Sequence, residues 1–221
     1  MVPSALKAGP LAESPLLSPG DRMGRDEFLD RWYKMPGLKF AELIDGVVYM
    51  PSPLSNPHGR HDNLVHGWLF HYAARVPDCE PLVSATWLMA PKSAPQPDAS
   101  LRWVKRFGGR SKVVNELTVG VPELAAEISL SSRSYDLGPK LLLYQSSGVQ
   151  EYLVFIIEDE RVEWRVLDRG RYKLLKPHKD GTLRSRIFPG LWLDPVAFWR
   201  ADRAGLLATL ERGLAAESPK Q

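Results

Sequence analysis

Acidic side chains within apolar, strand-like segments are the residues of this sequence best suited to chemistry. Asp98 follows Pro97 at the start of one such segment, and Glu127 lies inside Leu-Ala-Ala-Glu-Ile-Ser-Leu. An unpaired carboxylate is costly to bury, so each acid requires a compensating partner. Two such acids brought together can hold a divalent cation, which activates water beside a phosphate. The structural alternatives are a loop cap or a pair with a nearby cation for Asp98, and a buried ion pair for Glu127.

A lysine and a tyrosine follow on a predicted helix. Lys140 and Tyr144 are four residues apart and therefore share one helical face. Because this helix comes directly after the strand of Glu127, it can pack back over the strand and present Lys140 to the acids. Taken alone, the two residues would be an ordinary solvated pair. Glu42, just before a predicted hairpin turn, is a third candidate acid, and its alternative is a plain strand-end glutamate.

The histidines do not predict a zinc site. His58 and His61 are three residues apart, and His66 and His71 are five apart, whereas two zinc ligands on a helix need a spacing of four. His61 falls on the apolar stripe of its helix, which favours a core histidine. Contact with the active pocket or with a phosphate is the alternative for His61.

Several enzyme classes lack support. The sequence has neither a P-loop nor a Gly-x-Gly-x-x-Gly motif, so a nucleotide site of those kinds is not predicted. There is no Gly-x-Ser-x-Gly elbow of an α/β-hydrolase. The single cysteine, Cys79, stands between Asp78 and Glu80, whose charges disfavour a thiolate nucleophile. One cysteine also excludes an internal disulfide, which fits a reducing cytoplasm.

Composition favours one globular domain with extensions. The 221 residues are 44% hydrophobic and include seven tryptophans, enough for a substantial core. We find no apolar run long enough to span a membrane and no signal peptide. The net charge of +3 is small, but residues 161–186 carry nine Lys or Arg against three acids. With the basic loop 105–112, this segment is either a phosphate-facing surface or alternating charge on solvent-facing strands.

Periodicity predicts a mixed α/β fold with a central β-sheet rather than a regular series of βαβ units. Helices are expected over about 26–33, 59–76, 137–147 and 194–216, and Asp45-Gly46 indicates a hairpin turn. Strands are expected over about 82–90, 98–104, 124–130, 152–157, 162–166 and 171–175, and a short strand or extended segment over 187–193. We predict a disordered leader over 1–22, one domain over 23–200, and a C-terminal helix and tail over 201–221.

An ordered set of motifs resembles the Uma-two family of bacterial restriction-endonuclease-like proteins, in the PD-(D/E)XK nuclease superfamily. The motifs are Glu42-Leu43-Ile44-Asp45-Gly46, Pro97-Asp98, Glu127-Ile128-Ser129, Tyr135-Asp136 with Lys140 and Tyr144, Gly148 to Tyr152, and Phe188 to Leu193. The resemblance covers roughly residues 28–198. It implies a restriction-endonuclease-like core, a central mixed β-sheet flanked by helices, with the acids on adjacent strands.

The resemblance also implies roles for individual residues. Asp98 and Glu127 match the two acids of the superfamily motif, and Glu42 matches an early glutamate that adds to the metal site. The superfamily usually places its lysine two residues after the second acid, where this chain has Ser129. Lys140 matches a lysine moved to the next helix.

The leading hypothesis is a Mg²⁺-dependent endonuclease that hydrolyses DNA, with Mn²⁺ as an alternative ion. Asp98, Glu127, Glu42 and the carbonyl of Ile128 would hold the metal, and Lys140 would assist. His61, Ser129, Tyr135 and Tyr144 are expected around this centre or at a phosphate. A non-catalytic nucleic-acid or partner-binding module is the main alternative, and an enzyme acting on small phosphorylated molecules is another. The expected partner is nucleic acid rather than a membrane, and a homodimer is left open.

Overall fold

The computed structural model describes residues 16–50, 55–104 and 108–217. The first fifteen residues of the predicted leader therefore lie outside the described part, as do residues 105–107 of the basic loop. Within the rest of the leader, Leu17 is buried and Arg22 forms a bridge with Val47. No helix among the described residues is both long enough and apolar enough to cross a membrane.

A six-stranded mixed sheet forms the centre of the fold. Its strands are β3 (Cys79–Val83), β5 (Ala99–Trp103), β8 (Leu124–Ser129), β9 (Glu151–Ile156), β10 (Arg161–Asp168) and β11 (Arg171–Leu174). They lie in the order β11-β10-β9-β8-β5-β3, and only the β8–β9 pair is parallel. Both β8 and β9 are buried along their whole length, as strands covered on two faces must be. The predicted fold class is confirmed.

Seven shorter strands of the described part of the chain lie outside this large sheet. The hairpin of β1 (Glu42–Ile44) and β2 (Val47–Tyr49) turns at Asp45-Gly46, as predicted. A three-stranded sheet contains β4 (Trp87–Leu88), β6 (Ser111–Val114) and β7 (Leu117–Gly120), and β12 (Leu183–Arg184) pairs with β13 (Trp192–Leu193). The single strand predicted over 82–90 is therefore two strands. Ser84 has a φ of 46°, and this left-handed backbone separates them.

The helices cover both faces of the large sheet. They are α1 (Arg25–Tyr33), α2 (Asn56–Arg75), α3 (Arg133–Tyr135), a π-helical turn (Asp136–Lys140), α4 (Leu141–Ser147), α5 (Pro195–Trp199) and α6 (Arg203–Glu217). The helix predicted over 137–147 thus starts earlier and contains a π-helical turn. Ser132 precedes the first helical residue, and its hydroxyl donates to the Asp136 carboxylate.

Two apolar layers are separated by the sheet. On one face, α2 and α6 pack over side chains that include Ala126 and Leu153. On the other face, Tyr144 of α4 packs with Ala125, Tyr152 and Val154. Successive residues of a strand point to opposite faces, so Glu127 lies on the α4 side. The C-terminal helix α6 belongs to the first layer, because its buried leucines, such as Leu210, join that core.

Candidate active site

Glu127 is the centre of a buried polar cluster beneath α4. Its Oε1 accepts hydrogen bonds from Lys140 Nζ at 2.9 Å and from the Tyr144 hydroxyl at 2.8 Å. Only 3% of the Glu127 side chain is exposed. The spacing of four between Lys140 and Tyr144 predicted that both would face the same strand, and both reach the same oxygen. The partner that a glutamate in this strand requires is therefore the lysine of the following helix.

The π-helical turn at Asp136–Lys140 lies between Glu127 and α4. A π turn widens the helix by one residue, and such turns frequently occur at functional sites. Pro139 lies within this turn, and a proline removes one backbone donor from the helical ladder. Lys140, the last residue of the turn, is 4% exposed, which is rare for a lysine and requires charged partners.

Glu42 is the second carboxylate bound to Lys140. Its Oε1 lies 3.0 Å from Lys140 Nζ and accepts the backbone N–H of Gln96 at 2.7 Å. The Gln96 amide oxygen accepts the Ala41 N–H, and its amide nitrogen donates to Thr86. Gln96 therefore ties the β1 strand to the segment that enters β5. Its role could not be read from the sequence, because its partners lie far away along the chain.

Asp98 is anchored to the strand of Glu127. Its Oδ2 accepts the backbone N–H of Ile128 at 2.7 Å, one residue beyond Glu127. Two histidines of α2 also reach it: His58 Nε2 lies 3.6 Å from Oδ2, and His66 Nε2 lies 2.9 Å from the Asp98 carbonyl oxygen. The 3.6 Å separation is an ion-pair contact rather than a hydrogen bond. At 26% exposure, the Asp98 side chain is the most accessible of the three acids.

Burial and charge act in opposite directions on these groups. Burial, reinforced by neighbouring acids, raises the pKa of Glu127 well above its usual value despite the charge of Lys140. Burial acts to lower the pKa of Lys140, but the charges of Glu127 and Glu42 outweigh it and raise that pKa. For Asp98, burial acts to raise the pKa, whereas His58 and Lys140 bring it below the usual value. Lys140 is therefore a permanent cation at neutral pH.

The remaining predicted residues lie around this cluster, with one exception. The Tyr135 ring packs against the Tyr49 ring at an angle of 34° with centroids 4.2 Å apart, and Lys140 Nζ lies 5.4 Å from the Tyr135 centroid. Ser129 is fully buried on the face that carries Glu127, and its hydroxyl has no hydrogen-bond partner among the described residues. Ile128 contributes its N–H to Asp98, and the role of its carbonyl as a metal ligand stays a prediction.

His61 is the exception. Its ring packs against Phe198 and Trp199, and its Nδ1 lies 2.7 Å from the Pro57 carbonyl oxygen. It is partly exposed and lies at the edge of the core that contains Phe198 rather than at Glu127, and its contact with a phosphate stays a prediction.

The histidines that do reach the site are His58 and His66. Together with Asp62, they recur every four residues along α2, which places all three on one face. The sequence therefore contains a pattern that identifies this helical face, in which a carboxylate lies between two histidines at a spacing of four residues. A search for histidine pairs alone does not find it. Asp62 Oδ1 lies 3.3 Å from His66 Nε2.

The acids fit a divalent cation by donor type. One oxygen each of Glu42, Glu127 and Asp98 accepts no hydrogen bond within the described ranges. Carboxylate oxygens are the ligands that Mg²⁺ prefers, and Glu42, Asp98, Glu127 and Asp136 together outnumber the single lysine among them. However, across residues 16–50, 55–104 and 108–217, no three His, Cys, Asp or Glu side chains are spaced as ligands of one ion. Instead, the carboxylates of Glu42 and Glu127 both contact the Lys140 ammonium.

Comparison with known proteins agrees with this fold. A crystal structure of a protein from Anabaena variabilis ATCC 29413, described as a "putative nuclease belonging to DUF820", superposes on this chain with a TM-score of 0.63. The match covers 78% of this chain and 97% of the other at 14% sequence identity, so the likeness concerns the fold. No curated protein sequence matches the chain. The model of the Uma2 family, described as "Putative restriction endonuclease", matches residues 25–196. The match spans most of the sequence and includes the whole cluster around Glu127, and the chain therefore belongs to the Uma2 family.

Proposed function

We propose that this protein is a metal-dependent nuclease that hydrolyses DNA phosphodiester bonds at the cluster around Glu127. The observation that carries the proposal is the contact of Lys140 with Glu127 and Glu42, beside an Asp98 held by the amide of Ile128. Two acids on neighbouring strands and a lysine are the groups that such hydrolysis needs. In this chain the lysine comes from the helix after the strand, while Ser129 stands at its usual place.

Asp98 and Glu127 would hold a Mg²⁺ or Mn²⁺ ion, with Glu42 and the Ile128 carbonyl as further ligands. When bound, such an ion polarises a phosphodiester and lowers the pKa of a bound water. The residues that position these ligands belong to the protein itself. Tyr144 fixes the Glu127 carboxylate by a hydrogen bond, and the Ile128 amide fixes that of Asp98.

Lys140 acts as a cation rather than as a base. Its raised pKa keeps the ammonium protonated, so it has no lone pair with which to accept a proton from water. A buried ammonium can instead stabilise the negative charge that develops on a phosphate during attack. Because Glu42 and Glu127 already hold the ammonium in place, it requires little reorganisation when that charge appears.

Cleavage of single- and double-stranded DNA with Mg²⁺ or Mn²⁺ tests this proposal. We expect cleavage that EDTA abolishes, and a fall on the order of a hundredfold or more in Asp98→Ala, Glu127→Ala and Lys140→Gln. Asp168→Asn is the matched control, since this exposed acid pairs with Lys173 near the β10–β11 turn. Cleavage that persists unchanged in both alanine variants would rule out the site.

A catalytically inactive binding module is the second candidate. The observation in its favour is the closure of Glu42 and Glu127 around the Lys140 ammonium, with no convergent set of metal ligands in the described residues. This candidate predicts DNA binding with a steep salt dependence, no cleavage, and no heat of Mg²⁺ or Mn²⁺ binding in calorimetry. Metal binding that is lost in Glu127→Ala would favour the nuclease instead.

A further inference from the structure

A cationic cleft lies beside the edge strand β11, away from the candidate active site. It has a volume of about 390 Å³, and its lining includes Val166, Lys173, Lys176, Arg184, Ser185 and Arg186. Strand β11 is three positions from β8 in the sheet, or roughly 14 Å at the usual strand spacing. Val166 belongs to the core on the face opposite Glu127. The cleft is therefore a separate feature of the fold.

Two of the four Lys and Arg side chains that line this cleft have no acid partner within the described residues. Of the nine Lys and Arg in residues 161–186, all of them described, Arg161, Arg165, Lys173 and Arg184 pair with acids. Lys176 and Arg186 at the cleft pair with no acid in the described part of the chain, and both are exposed. One acid, Glu217, also lines the cleft, but its two oxygens accept the Gly190 N–H and the Trp192 indole N–H.

Arg184 is held rigidly at the cleft. Its guanidinium carbon lies 3.5 Å from the centroid of the Trp192 ring. Its Nε donates to Thr182 at 3.0 Å, and its Nη2 donates to Asp180 at 2.7 Å. These contacts leave Nη1 with no acceptor among the described residues. An immobilised guanidinium loses little entropy when it binds an anion, so this donor is preorganised.

A buried glutamate fixes the neighbouring backbone. Glu151 on β9 is fully buried and accepts the Ser185 hydroxyl and the Arg186 backbone N–H, each at 2.7 Å. The Ser185 oxygen in turn accepts the backbone N–H groups of Ile187 and Phe188. The segment that carries Arg184 and Arg186 is thus pinned to the central sheet, so the position of these cations is a property of the fold.

We infer that this cleft binds a small phosphate-bearing anion through Lys176, Arg184 and Arg186. Guanidinium groups match the geometry of phosphate oxygens, and the volume is at the lower end of small-molecule sites. The phosphate group could belong to a free small molecule or to a nucleic-acid backbone. The volume of the cleft suits a free molecule of that size, and this site does not depend on the proposed nuclease activity.

Calorimetric titration of the full-length protein with inorganic pyrophosphate, in buffer containing EDTA, tests the inference. We expect saturable binding at one site, weakened at least tenfold in Lys176→Ala/Arg186→Ala. The matched control is Arg169→Ala/Arg171→Ala, which removes the same charge from exposed arginines at the β10–β11 turn, outside the cleft. We expect the control and Glu127→Gln to change the affinity less than twofold.

Three results would overturn the inference. The first is an absence of saturable binding, and the second is equal weakening in the two double variants, which would indicate diffuse electrostatic attraction. A shift in Glu127→Gln would place the pyrophosphate at the candidate active site instead. Titration with a single-stranded oligonucleotide without terminal phosphates distinguishes the two sources of the phosphate group, a free small molecule and a nucleic-acid backbone. Cleft-dependent binding of the oligonucleotide without pyrophosphate binding would replace the small ligand with a nucleic-acid backbone.

Discussion

Two buried glutamates on the adjacent strands β8 and β9 have opposite surroundings. Glu151 accepts two hydrogen bonds, one on each carboxylate oxygen, from Ser185 and Arg186. Glu127 accepts two hydrogen bonds on one oxygen, from Lys140 and Tyr144, and among the described residues its other oxygen has none. Both side chains are almost completely buried. Burial alone therefore does not separate an acid with a purely structural role from a candidate for chemistry.

The distinction lies in what each carboxylate leaves unsatisfied. Both oxygens of Glu151 are used, so it has a complete structural role in holding the segment after β12. Glu127 keeps one free oxygen, and the charges of Asp98, Asp136 and Glu42 add to the cost of its own ionisation. An arrangement with excess negative charge and an unused ligand is costly in the free protein, and a bound cation relieves that cost.

Removal of the lysine should produce the largest effect on stability. We expect Lys140→Met to lower the free energy of unfolding by about 3–5 kcal/mol at pH 8, because it leaves buried acids unpaired. The loss should shrink toward pH 5, because burial raises the pKa values of Glu42 and Glu127 and they become neutral as the pH falls. Urea unfolding followed by tryptophan fluorescence, with EDTA present, measures both values.

The cation beside Glu151 provides the matched control. Arg186 contributes only its backbone N–H to that carboxylate, and its exposed side chain has no acid partner within the described residues. Arg186→Met should therefore change stability by less than about 0.5 kcal/mol. Equal losses of stability in Lys140→Met and Arg186→Met would show that Glu127 and Glu151 depend equally on a cationic side chain. That result would contradict the comparison.

Replacement of each glutamate by glutamine should change the stability of the protein differently at the two positions. In Glu151→Gln an amide nitrogen faces the Ser185 hydroxyl or the Arg186 N–H, so one donor loses its acceptor. The expected loss of stability is about 1–3 kcal/mol. In Glu127→Gln the amide oxygen can still accept from Lys140 and Tyr144, and the nitrogen replaces the unbonded oxygen. That variant should be at least as stable as the wild type at pH 8.

The pH dependence of stability follows from the raised pKa of Glu127. The folded state retains this proton to a higher pH than the unfolded state does, where the pKa is about 4.3. Wild-type stability is therefore lost as the pH rises from that value through the folded pKa. Glu127→Gln should not show this loss of stability with rising pH, and it should abolish cleavage. Glu151→Gln should retain cleavage. A Glu127→Gln protein that is both less stable and fully active would contradict this assignment.

Much of the fold was predictable from local pattern. The apolar runs around Glu127 and in β9 gave buried strands, and Asp45-Gly46 gave the first hairpin. The β6–β7 hairpin was missed. Its turn residues Asn115 and Glu116 both have positive φ, and a glutamate in such a turn is not a usual signal. The hairpin therefore depends on pairing with β4, which a local pattern does not reveal.

The site was predictable only in part, for a similar reason. An acid in an apolar strand identified Glu127, because its burial cost is local information. The contact of Lys140 required only a helix that packs back over the preceding strand. The contribution of His58 depends on the packing of α2 beside Asp98, forty residues later. Glu151 likewise depends on Ser185, and its structural role was not recognised because that partner is distant.

The contact of His58 with Asp98 should have the smallest effect on stability. Asp98 raises the pKa of His58, and His58 helps to lower the pKa of Asp98. The pair is attractive only when both are charged, which requires a pH above the lowered pKa of Asp98. The contribution of His58 is complete below about pH 6.5, its unfolded value, and is lost as the pH rises through the folded pKa.

His58→Asn should therefore be less stable than the wild type near pH 6 and nearly equal to it near pH 9. The difference should stay below about 1 kcal/mol, since the 3.6 Å pair is only partly buried. Unfolding at the two pH values measures it, and His61→Asn is the control, because His61 contacts Phe198 and Trp199 instead. A deficit that grows between pH 6 and pH 9 would mean that neutral His58 stabilises the fold. In that case Asp98, the most exposed of the three acids, would keep its orientation through the Ile128 amide alone.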